Sequence, residues 1–508
     1  MRSLSSILHP GASIYFVGIK GTGVCALAEL IHGMGVKTGG SDTNEVFYTD
    51  LILKELNIPF HETFDPAHIT DDIDMVIHSA AYSPESNAEL AEAERRNIPL
   101  MTYPQALGAF SEGFDSTGIA GVHGKTTTTA MAGCLVKSLG LPGRVLVGSA
   151  TANFGGRSTL TQGGKFFIAE TCEYRRHFLL FRPKRIVLTA VESDHQDYFP
   201  TYESIRDAFV EYCRLIPSGG ELIYCADDTG ASEVANIIKN EGRGINLVPY
   251  GFTAQGDFHI ASYRVENERA YFRINAFALE LALPVPGRHQ ALNAAAAVAA
   301  TLGLLKKELA EGGASRSGQN HSHKSELTQF AVKKALEEFK GSKRRSEILG
   351  EAAGILFMDD YGHHPTAIQT TFEGLRGFYP ARRLVVSFMS HTYTRTAALL
   401  GEFASSLASA DILFLHKIYA SAREKFDGHI DGKSIMEKIE SLPDKKAGVF
   451  YVDEPLDAFD KLKDILKPGD LFLTLGAGNN WPLGVKLFEY FTGSERAAGS
   501  SGAAGASK

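Results

Sequence analysis

The sequence has few cysteines, a single tryptophan and no excess of basic residues. The five cysteines among its 508 residues are an odd number and lie scattered, in no metal-ligand spacing, at Cys25, Cys134, Cys172, Cys213 and Cys225. This usage argues against a disulfide framework or a zinc site, and it favours the reduced thiols of a cytoplasmic protein. The formal net charge of −8 argues against a general nucleic-acid binder.

Long hydrophobic runs are also missing. No uninterrupted apolar stretch is long enough to span a bilayer, so we expect no membrane insertion. The N-terminus lacks a cationic stretch followed by an apolar core, which argues against a signal peptide. What is present suits a large globular protein: 44% of the residues are hydrophobic, and the length suggests roughly three domains of about 150 residues each.

The strongest motif is the glycine-rich stretch GIAGVHGKTTTT at 118–129, which runs directly into an apolar helical pattern. Glycine amides and a helix N-terminus form a cradle for phosphate groups. In such a loop Lys125 reaches the outer phosphates and the Thr126 hydroxyl lies on Mg²⁺. The loop is shorter than the standard Walker pattern, which needs glycine where this chain has Ile119. The stretch therefore predicts an ATP site in a shortened form.

A second glycine motif follows a predicted strand at 13–19 and precedes a predicted helix. Its glycines are Gly18, Gly21 and Gly23, and Asp42 ends the next strand at about the distance where an acidic residue binds a ribose hydroxyl. The pattern indicates a nucleotide pyrophosphate on a helix N-terminus. Two alternatives stay open, a Rossmann-like turn without a ligand and an NAD-dependent dehydrogenase.

Two polar side chains follow predicted strands of the central region. Glu170 ends a strand at 165–170, and His195 lies just beyond a strand at 185–190. Because ligands of open parallel sheets bind at the carboxyl ends of the strands, we expect both side chains to face the same crevice as Lys125. The alternatives are a surface salt bridge for Glu170 and a helix cap or core position for His195.

The alternation of strand and helix patterns predicts an α/β protein with three domains. We expect a Rossmann-like domain at 1–108, a central domain with a parallel sheet of the P-loop ATPase type at 109–327, and a C-terminal Rossmann-like α/β domain at 328–492. Residues 265–282 alternate in a way that predicts antiparallel strands beside the central sheet.

Two segments have little hydrophobic content. We expect a flexible insertion at 306–325 and a disordered tail at 493–508, both from their glycine, serine and alanine composition. His321 and His323 lie in the first segment, and we interpret them as part of a solvated linker because no partner ligands accompany them.

Five further motifs, together with the phosphate loop, form a recognisable sequence pattern. They are Gly287-x-His289-x-x-x-Asn293, Arg344-Arg345, Asp359-Asp360-Tyr361-Gly362-His363-His364-Pro365, Tyr393-Thr394-Arg395-Thr396 and Gly476-Ala477-Gly478-Asn479. Together they resemble the Mur ligases of peptidoglycan synthesis. The resemblance covers all three predicted domains except the insertion and the tail.

The resemblance implies an ATP-dependent ligase that joins L-alanine to the carboxylate of UDP-N-acetylmuramate through an acyl phosphate. ATP and Mg²⁺ would be its cofactors, and it would act as a monomer or weak homodimer. The first domain would hold the UDP part of the sugar nucleotide, the central domain ATP, and the third domain the amino acid.

The resemblance also assigns roles to individual residues. The nucleotide would contact Gly121, His123, Gly124, Lys125, Thr126, Thr127, His289, Asn293, Arg345 and Asp360. The substrates would contact Gly18, Gly21, Gly23, Asp42, Tyr361, His363 and Arg395. Magnesium would bind Thr126, Glu170 and His195, and the catalytic residues would be Lys125, His195, His363 and Arg395. His363 is a candidate base for the attacking amine, with deprotonation by solvent as the alternative.

The chain departs from the family pattern where Thr392 stands in the first arginine position of the segment that ends in Arg395. That position lies where the carboxylate of the amino acid would be held, so we expect weaker binding of L-alanine. The alternatives are a related ligase that attaches a peptide or another amino acid, and a catalytically inactive nucleotide sensor. The ATP loop argues against the sensor, and the Tyr361 and Tyr393–Thr396 segments favour a single amino acid over a peptide.

Overall fold

The computed structural model describes residues 4–195, 198–312, 321–420, 430–443 and 446–503. Three larger sheets and one small sheet follow one another along the chain, and helices cover the larger ones. This architecture confirms the predicted three-domain α/β fold. No helix in the described part of the chain is both long and apolar enough to cross a membrane.

The N-terminal sheet has five parallel strands in the order β3-β2-β1-β4-β5. The strands are β1 (Ser13–Val17), β2 (Lys37–Ser41), β3 (Phe60–His61), β4 (Met75–His78) and β5 (Leu100–Thr102). The helices are α1 (Leu4–Ile7), α2 (Thr22–His32), α3 (Thr49–Glu55), α4 (Ala88–Arg95) and α5 (Tyr103–Ser111). All five residues of β1 are buried, as expected for a continuous apolar run in a parallel sheet that is covered on both faces.

The central sheet has seven strands in the order β12-β11-β10-β6-β9-β7-β8, and only the pair β7–β8 is antiparallel. The strands are β6 (Asp115–Ala120), β7 (Gly143–Thr151), β8 (Arg157–Thr161), β9 (Phe166–Glu170), β10 (Arg185–Leu188), β11 (Glu221–Cys225) and β12 (Asn246–Tyr250). A separate antiparallel sheet contains β13 (Ile260–Glu266), β14 (Arg269–Ile274) and β15 (Leu281–Leu283), which confirms the predicted antiparallel strands. The helices are α6 (Lys125–Ser138), α7 (Tyr202–Cys213), α8 (Thr229–Asn240), α9 (Arg288–Gly312) and α10 (His321–Glu337).

The C-terminal sheet has six strands in the order β16-β17-β21-β18-β19-β20, and its edge strand β16 runs antiparallel to β17. The strands are β16 (Glu347–Ala352), β17 (Ile355–Asp360), β18 (Arg383–Phe388), β19 (Ile412–Leu415), β20 (Gly448–Tyr451) and β21 (Asp470–Leu475). The helices are α11 (Pro365–Phe378), α12 (Tyr393–Ala398), α13 (Leu400–Leu407), α14 (Gly432–Glu440), α15 (Phe459–Ile465) and α16 (Trp481–Ala503). The sheet is therefore mostly, but not wholly, the parallel sheet that we expected.

The structure differs from the sequence prediction in the two low-complexity segments. Helix α9 continues through Gly312 and α10 begins at His321, so both ends of the expected flexible insertion at 306–325 are helical. Helix α16 continues to Ala503 through most of the expected disordered tail at 493–508. Both segments contain good helix formers and no proline. The prediction from their glycine and serine content did not take these helix formers into account. Residues 313–320 and 504–508 lie outside the described residues.

Candidate active site at the junction of the three domains

A cleft of ≈ 920 Å³ lies where the three domains meet. The N-terminal domain contributes Thr22 and the segment 46–48, and the other two domains contribute the rest of the lining. Nine of the predicted site residues line this cleft, namely His123, Lys125, Thr126, Glu170, His195, Arg345, Tyr361, His363 and Arg395. The remaining predicted residues are not among those that line the cleft.

The phosphate loop connects the end of β6 to the first residue of α6. Gly121 and Gly124 adopt φ values of +135° and +81°, which only glycine takes without strain. A Cβ on Gly124 would meet Asn293 Oδ1 at 2.6 Å, so the loop also needs glycine for space. Gly124 caps α6 without any side-chain hydrogen bond, which leaves amides at the helix start available for an anion. The loop therefore fits a nucleotide phosphate.

Lys125 begins α6, and its side chain is 14% exposed. Its Nζ donates to Gly121 O at 2.5 Å and lies 3.0 Å from Glu173 Oε2. Burial by itself would lower the pKa of Lys125, but the carboxylates of Glu173 and Glu170 raise it above its ordinary value. The lysine is therefore a full positive charge at the floor of the cleft.

Glu173 is a site residue that the sequence analysis missed. Besides Lys125, it faces His195, whose Nε2 lies 3.6 Å from Glu173 Oε1. Burial would raise the pKa of Glu173, but Lys125 and His195 together hold it below the usual range. Its position three residues after Glu170, beyond the end of β9, was the available signal.

Arg395 and Asp194 form a buried ion pair between the C-terminal and central domains. Nη2 and Nε of Arg395 donate to Asp194 Oδ1 at 2.6 Å and 3.2 Å, and both side chains are almost fully buried. Burial would raise the pKa of Asp194, but Arg395 holds it far below its usual range. Arg395 thus lies in the cleft as predicted, with a partner that sequence reasoning did not identify.

His363 lies beside Tyr361 at the turn after β17, and its Nδ1 is 2.9 Å from the carbonyl oxygen of Tyr361. A carbonyl only accepts, so Nδ1 carries the proton and Nε2 of the neutral ring carries the lone pair. Burial and the nearby Arg395 lower the pKa of His363 well below its ordinary value. The ring is therefore neutral, and its Nε2 can accept a hydrogen bond.

Asp360 is the last residue of β17, and Arg345 lies just before β16. Asp360 is buried and accepts hydrogen bonds from Ser346 N at 2.6 Å and Gly362 N at 2.7 Å, so it shapes the turn below the cleft. Arg345 lines the cleft, and its guanidinium lies 5.2 Å from the centre of the Tyr361 ring.

His289 and Asn293 lie behind the phosphate loop, near the start of α9. Asn293 Oδ1 accepts from Thr128 Oγ1 at 3.2 Å, and Asn293 Nδ2 donates to Gln290 Oε1 at 3.1 Å. Burial lowers the pKa of His289 to about 4, against an opposing effect of Asp360. Asn293 therefore adjoins the loop at Gly124, and Thr127 is buried in the first turn of α6.

The glycines of the N-terminal motif shape its loop. Gly18 has φ +79°, and a Cβ there would meet Ser79 at 2.9 Å, while Gly23 packs against Tyr103. Both carboxylate oxygens of Asp42 accept backbone amides, from Lys20 N at 2.7 Å and from Thr43 N at 2.8 Å. Asp42 therefore braces the glycine loop, which includes Gly21.

The predicted metal ligands Thr126, Glu170 and His195 all line the cleft. Glu170 Oε2 accepts from Gly148 N at 2.9 Å, which orients the carboxylate. A hydroxyl, a carboxylate and an imidazole, with Glu173 and Asp194 also lining the cleft, are ligand types that suit Mg²⁺ bound to a nucleotide.

Three family models match consecutive parts of the chain. The Mur ligase family catalytic domain matches residues 13–115, the Mur ligase middle domain matches 119–301, and the Mur ligase glutamate ligase domain matches 344–478. The chain belongs to the Mur ligase family.

Within that family, the chain is similar to UDP-N-acetylmuramate–L-alanine ligases. It is 50% identical over 481 residues to the one from Treponema pallidum, which covers 95% of this chain and 97% of that protein. It is 36% identical over 476 residues to the one from Borreliella burgdorferi, with 93% and 97% covered.

Solved structures show the same fold. The UDP-N-acetylmuramate–alanine ligase of Thermotoga maritima superimposes with a TM-score of 0.71 at 23% identity, over 95% of this chain and 99% of that chain. A murein peptide ligase of Psychrobacter arcticus does so with a TM-score of 0.64 at 21% identity, over the same shares.

Proposed function

We propose that this protein joins L-alanine to the carboxylate of UDP-N-acetylmuramate, with conversion of ATP to ADP and phosphate, in the synthesis of peptidoglycan precursors. The observation that best supports this proposal is that Lys125 of the central domain and His363 and Arg395 of the C-terminal domain line one cleft. The 50% identical relative from Treponema pallidum bears this activity in its name. ATP and UDP-N-acetylmuramate are both found in the cytoplasm, and we therefore place the protein there.

The first step is phosphorylation of the sugar carboxylate, which forms an acyl phosphate and ADP. Catalysis of phosphoryl transfer is mostly positioning and charge stabilisation. Lys125 would move from Gly121 O and Glu173 to the transferring phosphoryl group, while the uncapped start of α6 holds the other phosphates. Mg²⁺, held by Thr126, Glu170 and His195, would supply further charge neutralisation and orient the phosphates.

The second step is attack of the amine of L-alanine on the acyl phosphate, and phosphate leaves from the tetrahedral intermediate. The amine must first lose a proton. His363 is neutral and its Nδ1 proton is directed to Tyr361 O, so Nε2 can accept a hydrogen bond from the amine and orient it while solvent takes the amine proton. Arg395 would hold the carboxylate of L-alanine, and its ion pair with Asp194 fixes the guanidinium in the cleft.

The peptide-ligase and sensor alternatives are less well supported. The structural neighbour that is a murein peptide ligase is only 21% identical, which speaks for the fold alone. A nucleotide sensor would also need Lys125 for the phosphates, but it has no need of a neutral His363 in the cleft.

The test is phosphate release from ATP in the presence of UDP-N-acetylmuramate and a panel of amino acids. We expect release with L-alanine and none without the sugar nucleotide. Ligation of a tripeptide but of no single amino acid would replace the proposal with the peptide ligase. ATP binding without turnover under every condition would favour the sensor.

The role of magnesium can be tested on the same assay. Turnover should stop in excess chelator, and Glu170→Ala should raise the Mg²⁺ concentration needed for half-maximal rate. Glu203→Ala, which removes an exposed carboxylate in the first turn of α7, is the control and should leave the titration unchanged. An unchanged titration in Glu170→Ala would remove that residue from the metal site.

A further inference from the structure

A second cluster of metal-ligating side chains lies at the contact between the central and C-terminal domains. It consists of His123 in the phosphate loop, Glu192 beyond the end of β10, and His364 at the start of α11. One ligand atom from each residue lies within 4.8 Å of the other two. We call these three residues the His-Glu-His cluster. It shares no residue with the predicted magnesium ligands Thr126, Glu170 and His195.

The burial of the His364 ring is not accounted for by hydrogen bonds within the described residues. His364 is only 7% exposed, yet neither ring nitrogen has a hydrogen-bond partner among the described residues. It occupies the N-cap position of α11 without making a side-chain cap bond. A buried imidazole with both nitrogens unpaired costs free energy, typically about 1–3 kcal/mol for each unsatisfied group. Such a group points to a ligand that the ring was shaped to bind.

The other two members face the same point. His123 Nε2 and Glu192 Oε1 lie against each other as an ion pair, and neither atom has a further hydrogen-bond partner in the described part of the chain. The rings of His123 and His364 are 5.4 Å apart between centroids. Two imidazole nitrogens and one carboxylate oxygen thus converge, with few competing partners.

We propose that the His-Glu-His cluster binds one transition-metal ion of the Zn²⁺ type. Two histidines and one glutamate are a known donor set for zinc with an open fourth position, with ligand distances of about 2.0–2.2 Å. Imidazole donors favour zinc and its neighbours over magnesium, whose preferred ligands are oxygen atoms. The ion would sit between His123 and Glu192, which separate to admit it. His123 is also a predicted nucleotide contact, so an ion held here would compete with that contact, but binding of the ion does not require the proposed ligase activity.

An ion bound at the His-Glu-His cluster would link two domains. His123 and Glu192 belong to the central domain and His364 to the C-terminal domain. Thr366 Oγ1 already donates to Glu192 Oε2 at 3.3 Å across the same contact. A bound ion would therefore fasten the start of α11 to the phosphate loop and oppose separation of the two domains.

The test is a zinc titration of the full chain, without added histidine tags, after treatment with chelator. Zn²⁺ is competed against a chromophoric chelator in the presence of excess Mg²⁺ and without nucleotide or amino acid. We expect one Zn²⁺ per chain. His364→Gln and Glu192→Gln should each weaken binding roughly a hundredfold or more, because each removes one of three ligands.

His363→Gln is the matched control, since it changes the neighbouring histidine, whose Nδ1 faces Tyr361 O instead of the cluster. It should bind zinc as the unchanged protein does. Absence of one-to-one binding in the unchanged protein, or equal binding in His364→Gln and Glu192→Gln, would overturn the proposal.

X-ray absorption of the zinc complex of the unchanged protein gives a test that needs no variant. Two imidazole nitrogens and oxygen neighbours are expected. A sulfur neighbour, which Cys172 in the cleft would supply, would refute the assignment. Hydrogen exchange at residues 362–368 should slow when zinc is added, and exchange unaffected by zinc would refute the fastening of the two domains.

Discussion

Lys125 is charged at the floor of the cleft because two carboxylates offset its burial. We predict that Lys125→Ala lowers the rate of ligation by about 10³-fold or more, as expected when a charge clamp is removed from phosphoryl transfer. The measurement is phosphate release by purified protein whose circular dichroism is unchanged. Lys137→Ala, at the exposed end of the same helix, should be as active as the unchanged protein. Near-normal turnover of Lys125→Ala would remove the lysine from the mechanism.

Thr392 stands in the cleft at φ +68°, an unfavourable conformation for a β-branched residue. We predict that Thr392→Arg lowers the KM for L-alanine by roughly tenfold, because one charged contact is worth about 1.5–3 kcal/mol. The kcat should change little, since contacts made equally in ground and transition states affect KM alone. Thr392→Gly relieves the backbone strain without adding charge, so it separates the two effects. A lower KM in the glycine variant as well would attribute the gain to the backbone.

Removal of the Arg395 side chain should raise the KM for L-alanine. We predict that Arg395→Ala raises the KM for L-alanine by roughly tenfold to a hundredfold, because the fork that grips a carboxylate is lost. The variant also leaves Asp194 buried without its partner, so Arg395→Lys, which keeps the charge, is measured beside it. Unchanged amino-acid KM in both variants would exclude Arg395 from the substrate site.

Asp359 links the turn at the cleft to the pH dependence of stability. Burial raises its pKa to about 6, against the effect of Arg344, whose Nε lies 3.0 Å from Asp359 Oδ2. A carboxyl group with a raised pKa stabilises the fold fully below its unfolded pKa, and this stabilisation is lost as pH rises through about 6. The amount is about 3 kcal/mol by linkage.

We therefore predict that the melting temperature of Asp359→Asn rises relative to the unchanged protein between pH 4 and pH 7. Asparagine carries no charge to bury, so only the unchanged protein loses this stabilisation as the pH rises. The check is thermal unfolding of both proteins across that range. A difference in melting temperature that stays constant with pH would contradict the prediction.

At the scale of elements, the junction of β6 and α6 depends on Gly124. We predict that Gly124→Ala weakens ATP binding by roughly tenfold or more. A left-handed residue other than glycine costs about 1–2 kcal/mol, and the added Cβ would meet Asn293 Oδ1 at 2.6 Å. Gly140→Ala, just beyond the other end of α6, has φ +64° but open space around its Cβ. Calorimetry should find normal ATP affinity in that control, and equal losses in both variants would assign the effect to backbone strain alone.

At the scale of the whole molecule, the N-terminal domain serves a cleft that all three domains build. We predict that the full chain binds UDP-N-acetylmuramate without ATP and does not bind NAD. Both ligands place a pyrophosphate on a helix N-terminus, but Asp42 braces the glycine loop through two backbone amides, and the two further domains that share the cleft suit a ligase. Calorimetry distinguishes the two ligands, and Lys125→Ala should still bind the sugar nucleotide. Binding of NAD but not of UDP-N-acetylmuramate would reverse the assignment of the N-terminal domain.

The oligomeric state, expected to be a monomer or a weak homodimer, stays a prediction that sedimentation can test.

Much of the fold and part of the site could be predicted from the chain. The apolar strand runs, the two glycine loops and the Asp359–Pro365 segment each carry their information within a few consecutive residues. The helical course of α16 through the tail was missed, because low complexity was interpreted as disorder. Glu173 and Asp194 were missed because a carboxylate near a strand end has no local signature that distinguishes it from a surface group.

The sequence by itself determined the three-domain α/β class, the phosphate loop with Lys125, and the family, because these depend on local patterns and contiguous motifs. Only the tertiary structure decided which charges meet. Asp194 and Arg395 are 201 positions apart, and the His-Glu-His cluster joins three separate segments of the chain. Partnerships of this kind arise when buried charges must find opposite charges or ligands across a domain contact, and no local pattern records them.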